Sequence, residues 1–197
     1  MHDTSSPYVW TKDLSGPFTT TLYLNSTVGE TTSSTMDAVS STLVTVPDGG
    51  ATDSPNRLIA WAFHSVDGYS KFGSYEGNGN DDGPFIYLGF RPKFIIFKTI
   101  DDTDAWVMHD SERGWRLNAN LRNYWFDASN DAQESEHGAT STYSEFMSNG
   151  IKIRDNDNTI NKDGDTYIYM AFAETPFKYS NGGQYTQGYH ASNNPPP

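Results

Sequence analysis

The sequence contains no cysteine among its 197 residues. Disulfide frameworks, zinc–thiolate centres and cysteine nucleophiles are excluded together, and the redox compartment is left undetermined. Basic residues are scarce as well: 13 Lys+Arg stand against 25 Asp+Glu, for a formal net charge of −12. A nucleic-acid partner is not expected, because such a groove depends on basic side chains that displace counterions from phosphates. Long apolar runs are missing. Leu58–Phe63 and Phe94–Phe97 fall far short of the ~18 residues a spanning helix requires, so a soluble chain with no membrane insertion is expected. Residues 1–25 contain no basic segment followed by an apolar run, so no secretory signal is visible.

Helical periodicity is also lacking. Gly, Pro, Asn, Asp, Ser and Thr interrupt every window, and no stretch keeps apolar residues at i, i+3, i+4 and i+7 for three turns. What the chain does have is rings. Only 35% of residues are hydrophobic, but 14% are aromatic, a composition that favours strands over helices. Tyr167–Phe172 and Lys93–Lys98 carry large residues on both faces, as central strands do. Ile151-Lys152-Ile153-Arg154 alternates apolar with basic and reads as a half-exposed strand. Turn clusters separate these runs at Asp48–Gly50, Gly77–Pro84, Ser148–Gly150 and Lys162–Asp165. Short strands with frequent turns predict an all-β fold, an antiparallel β-sandwich or jelly roll.

An internal likeness suggests the organisation. Arg57–Phe63 aligns with Thr166–Phe172 at a constant spacing of 109, which also sets Leu43–Val46 against Lys152–Asp155. Tyr8–Asp13 resembles Ala105–Asp110 at a different spacing, 97. The expected layout is a partial first repeat with a polar tail over residues 1–68, a complete β-sandwich unit over 69–177, and an extended tail over 178–197. Phe63 and Phe172 are then expected at equivalent core positions. A half-unit would expose strand edges unless it pairs with the next unit or another chain.

The run from Ala60-Trp61-Ala62-Phe63 through Gly68-Tyr69-Ser70-Lys71-Phe72-Gly73-Ser74-Tyr75 to Gly77-Asn78-Gly79 and Phe85 resembles a domain of tailed-phage structural proteins. Gly89–Phe94, Trp106–Arg113, Phe146–Gly150 and Asp165–Phe177 extend the likeness over residues 57–178. In that family the domain recurs in tandem, often beside concanavalin-like modules, in tail fibres and other virion surface parts. The resemblance brings no catalytic residues with it. It implies a non-enzymatic virion structural protein at the particle surface, in the tail fibre or host-attachment apparatus. Capsid decoration that stabilises the shell is the alternative, and a glycan-degrading enzyme is the third reading.

The chemistry-bearing residues each have two readings. Asp155, Asp157, Asp163 and Asp165 supply hard oxygen ligands of the kind calcium takes. Counted from Asp155, however, Ile160 and Thr166 occupy the positions where an EF-hand needs Gly and Glu, so a turn capped by Asx side chains is the leading reading. No cofactor is required, and calcium is the candidate ion. Gly77–Gly83 leads into Pro84-Phe85-Ile86 rather than Lys-Ser/Thr and a helix, which argues against a phosphate cradle. Glu76, Glu112, Glu145 and Glu174 form no short alternating carboxylate pattern for glycoside hydrolysis. His64, His109 and His137 lack zinc spacing. His109, Asp110 and Ser111 resemble a triad in order only, since neighbours on a strand face opposite ways. Trp115, Tyr124 and Trp125 lie in a polar, turn-rich region, where rings either cap the sandwich or stack on host surface glycan. In the tail, Tyr179, Tyr185 and Tyr189 have no core of their own, and docking on a neighbouring subunit would give them one. The expected partners are therefore further copies, as a homotrimer, and other virion proteins.

Overall fold

In a computed structural model the described residues are 6–16, 18–33, 36–46, 59–112, 121–122, 124–127, 134–136 and 143–175, with the backbone alone described between 121 and 136. All strand pairs are antiparallel. The central sheet has six strands: β6 (Ser70–Glu76), β8 (Pro92–Thr99), β9 (Val107–Asp110), β11 (Tyr124–Asp127), β12 (Glu134–Glu136) and β15 (Thr166–Ala173). Their order is β12-β11-β9-β8-β15-β6. A second sheet, ordered β10-β13-β14-β7, is built from β7 (Phe85–Tyr87), β10 (Leu121–Arg122), β13 (Ser144–Met147) and β14 (Gly150–Ile153). The N-terminal residues form a third, β1 (Tyr8–Val9), β2 (Thr20–Tyr23) and β3 (Thr31–Thr32). A separate hairpin joins β4 (Ala38–Val39) to β5 (Val44–Thr45). The one helix among the described residues, α1, is a single turn over Asn158–Asn161.

The period of two along β8 and β15 explains the layering. Ile95 and Phe97 on β8, with Tyr169 and Ala171 on β15, face Ile86, Phe146, Ile151 and Ile153 of the second sheet. The intervening Ile96 and Ile168 face Leu14, Leu22 and Trp106. The central sheet is thus covered on both faces, which is why its two middle strands are apolar at almost every position. The all-β, sandwich-like expectation holds, with the N-terminal sheet as an additional layer. Ile151 and Ile153 are buried and Arg154 exposed, as the alternation in that run predicts.

The expected equivalence of Phe63 and Phe172 is corrected. The described part of Arg57–Phe63, Ile59–Phe63, lies outside any strand and is exposed, whereas Thr166–Phe172 belongs to β15. Phe63 and Phe172 are not equivalent: they touch, edge to face, with centroids 6.4 Å apart. A strand like β15 needs neighbours on both sides, and among the described residues no strand lies beside Ile59–Phe63. The sheet β1–β3 covers the far face of the central sheet.

Candidate functional site

One end of the sandwich gathers the loops 77–83, 100–104 and 154–165, and the four aspartates weighed for calcium lie there. Asn161 holds it together. Its side chain is fully buried; Nδ2 donates to Asn80 O and Asp155 O, both at 2.8 Å, with Asn78 Oδ1 at 3.2 Å. Its Oδ1 accepts from Asn78 N at 2.9 Å. Three chain segments therefore converge on one amide. Gly77 is required where the loop crosses α1, because a Cβ there would lie 2.2 Å from Lys162 O.

The helix is tied down from below by two stacked tyrosines, Tyr75 and Tyr167, whose centroids are 5.1 Å apart. Tyr75 donates to Ile160 O at 2.7 Å and Tyr167 donates to Asn158 O. Burial pushes both phenols above their ordinary range.

The four aspartates proposed for calcium act locally. Asp155 Oδ1 accepts from Asp157 N at 2.9 Å. Asp157 is the N-cap of α1, accepting from Thr159 N at 2.8 Å and from Tyr143 OH at 3.2 Å. Asp165 sits 3.4 Å from Lys162 Nζ, and Asp163 packs against Gly79. Among the described residues, no three carboxylate or imidazole side chains gather to hold a metal. Lys162 pairs with Asp102 at 2.5 Å; its hydrogen bond holds the Asp102 carboxyl below the usual range and raises the Lys162 ammonium.

Lys98 and His109 are also buried, which neighbours in sequence do not signal. Lys98 is wholly enclosed, donating to Thr99 O at 2.7 Å. Burial lowers its ammonium to about 8, against the pull of Asp104 and Asp102. Burial also raises Asp104. His109 lies between the sheets with Nδ1 2.8 Å from Ser144 Oγ, and both residues are fully buried. Ser111, by contrast, sits in an exposed turn, its backbone N–H bonded to Lys93 O. His109, Asp110 and Ser111 make no triad. Lys98 and His109 are thus both enclosed.

Of the residues proposed for glycan, Tyr124 and Trp125 lie on β11, where Trp125 registers with Ser135 of β12. Trp115 lies outside the described residues, as do Tyr179, Tyr185 and Tyr189. Among the residues whose side chains are described, the exposed rings include Trp61 (77%), Tyr87 (63%), Phe63 (61%) and Phe85 (43%). Phe85 and Tyr87 stand on the outer face of β7. Gly150 lies beside them on β14, where a Cβ would come within 2.2 Å of Ile86 O and 2.8 Å of Phe85 Cζ.

A family model described as a domain of unknown function, DUF7483, matches residues 1–176 as one span. The chain belongs to that family. No curated protein and no solved structure matches it.

Proposed function

We propose that this chain is a non-enzymatic structural protein of a tailed-phage virion, positioned at the particle surface in the tail fibre or host-attachment apparatus. The observation that carries the reading is the run from Ala60 to Phe85, which resembles phage surface proteins. The geometry is in keeping with it. The polar groups at the loop-rich end brace loops, and the described residues include exposed rings and sheet-end strands without a described neighbour. Such features suit lattice contacts and sugar stacking. Trp115, Tyr124 and Trp125 are the proposed glycan contacts, further copies and other virion proteins the proposed partners, and no cofactor is required.

Antibody raised against the purified chain, applied to particles from the host that carries its gene, tests the placement. Label at the tail supports the reading, label over the head lattice replaces it with capsid decoration, and particles free of label overturn both. Turnover of host polysaccharide by the purified chain would overturn the non-enzymatic assignment. In particles that assemble normally, Trp115→Ala with Trp125→Ala is expected to reduce adsorption to host cells, and unchanged adsorption removes the glycan contact.

A further inference from the structure

Among the described residues, an Asp or Asn precedes Gly at Asp67–Gly68, Asn78–Gly79, Asp82–Gly83, Asn149–Gly150 and Asp163–Gly164. At such bonds a chain can modify itself, because a glycine nitrogen, with no Cβ beside it, reaches the side-chain carbonyl carbon of the preceding residue. The reaction needs that N–H unengaged and the peptide plane able to turn. The fold withholds this at most of these bonds. Gly79 N–H donates to Asn161 O at 2.9 Å, and Gly164 N–H donates to Gly77 O at 3.1 Å. Lys152 Nζ holds the Asp82 carboxylate at 2.7 Å, and Gly83 packs where a Cβ would lie 2.8 Å from Ile153 Cβ. Asn149 lies in the turn between β13 and β14, its carbonyl oxygen accepting from Leu88 N and Gly89 N, both at 3.0 Å. Gly150 is already part of β14, in register with Met147 and Tyr87.

Asp67–Gly68 is different. It is the centre of a turn that Tyr69 N–H closes onto Val66 O at 2.9 Å. Gly68 takes φ 71 while Asp67 keeps a negative φ, the type II arrangement. Among the described residues nothing accepts from the Gly68 N–H, and nothing pairs with the Asp67 carboxylate, which is exposed. The same turn ties residues 64–66 to the start of β6. Val66 N–H donates to Ser70 O at 3.0 Å and Ser70 N–H returns to Val66 O at 2.9 Å. Ser70 Oγ donates to His64 O at 3.0 Å, and Phe72 N–H donates to Ser65 Oγ at 3.1 Å.

We infer that Asp67–Gly68 is a self-modification site, where the chain isomerises to isoaspartate through a succinimide and thereby unties residues 64–66 from β6. Gly68 N attacks Asp67 Cγ. The N–Cγ bond forms, and the amide proton leaves with the carboxyl hydroxyl as one water. A water then adds to the Asp67 main-chain carbonyl carbon and breaks its bond to Gly68 N, so that the backbone runs through Cγ. Addition at Cγ instead restores the original bond. Water is the one co-reactant, and the mass of the chain is unchanged. The additional methylene falls inside the turn, between Val66 O and the two N–H groups that it accepts. β6 itself keeps its seven-residue register with β15.

The full-length protein is aged at neutral pH and body temperature and digested, and each peptide is assayed for isoaspartate with an isoaspartyl methyltransferase. Isoaspartate at 67–68 is expected to accumulate at least about tenfold faster than at 82–83 or 163–164, which react only from locally opened states. In urea the three Asp–Gly bonds are expected to react at similar rates. Equal rates in the folded chain overturn the inference. So does the same ratio in urea, because sequence rather than fold would then set the order. Asp67→Asn is expected to convert faster than Asn78 or Asn149 in the same protein, and slower conversion overturns the inference as well. Asp67→Glu, which would have to close a six-membered ring, is expected to abolish the modification at unchanged far-UV dichroism. Hydrogen exchange reads the consequence: the N–H groups of Val66, Ser70 and Phe72 lose protection as the wild type ages and keep it in Asp67→Glu. Equal loss in both proteins overturns the release of residues 64–66.

Discussion

Substituting Asn161→Asp changes one atom's chemistry at almost no change in volume, and its cost follows from the contacts of that side chain. The Nδ2 amine donates to two buried carbonyls, Asn80 O and Asp155 O, each at 2.8 Å. A carboxylate oxygen in its place donates nothing, leaving two acceptors without partners at about 1–3 kcal/mol each. The new charge also stands in a fully buried position facing carbonyl oxygens, which adds desolvation. The bond from Asn78 N–H to Oδ1 survives and offsets part of the loss. A net cost of about 3–5 kcal/mol is expected at neutral pH, equivalent to a fall in Tm of about 10 °C for a chain of this size. Urea unfolding followed by tryptophan fluorescence measures it. Burial raises the introduced carboxyl above its unfolded value, so the folded state binds the extra proton first and the deficit shrinks as pH falls through that raised value. Asn161→Ala lacks the charge and should cost less at pH 7, with no such pH dependence. A variant within about 1 kcal/mol of wild type, or one whose deficit ignores pH, would refute the account of Asn161 as the clamp of these loops.

Lys98, lowered to about 8 in the folded chain, releases its proton there before it does when unfolded. Stability should therefore rise by roughly 3 kcal/mol between about pH 8 and 10.5, and Lys98→Met should abolish that rise in urea titrations. Above pH 10 the sign reverses, since Tyr75 and Tyr167 keep their protons only when folded; Tyr75→Phe is expected to soften the alkaline fall. Phe97→Ala, at a fully buried position, should cost about 3–5 kcal/mol, whereas Phe63→Ala, largely exposed, should cost under about 1 kcal/mol; equal losses would restore the repeat. Gly150→Val should disrupt the β7–β14 pairing and lower stability by about 2–3 kcal/mol, which calorimetry would detect.

What could be read in advance was what depends on neighbours in sequence. Lys93–Lys98 and Tyr167–Phe172 declare themselves as β8 and β15 because both faces of a covered sheet must be apolar. The same pattern misleads at Arg57–Phe63, where strand-like residues lack strands to join. Gly77–Gly83 is legible as a turn, but its clamp, Asn161, lies more than 75 residues away and gives no local signal. Lys98 ends an apolar run just as a solvated lysine would, and only the folded loop 99–104 encloses it. The aspartates at 155–165 look like ligands because capping and coordination call for the same oxygen atoms.

The place of β15 in the central sheet also governs how the chain can reach this state. It is the last described strand to be synthesised, yet it lies between β8 and β6, pairing Thr166 with Glu76 and Tyr167 with Thr99. During translation β6 and β8 emerge long before their shared partner and must wait, edges open, until about 90 residues after β6 and about 67 after β8 have left the ribosome. Closing so long a loop raises the entropy cost of the nucleus, so refolding should be slow for a domain of this length. The waiting strands are the chain's most exposed moment for mispairing with neighbouring nascent copies. The final strand then enters between two that are already made, and the sheet is completed from its middle rather than from its rim.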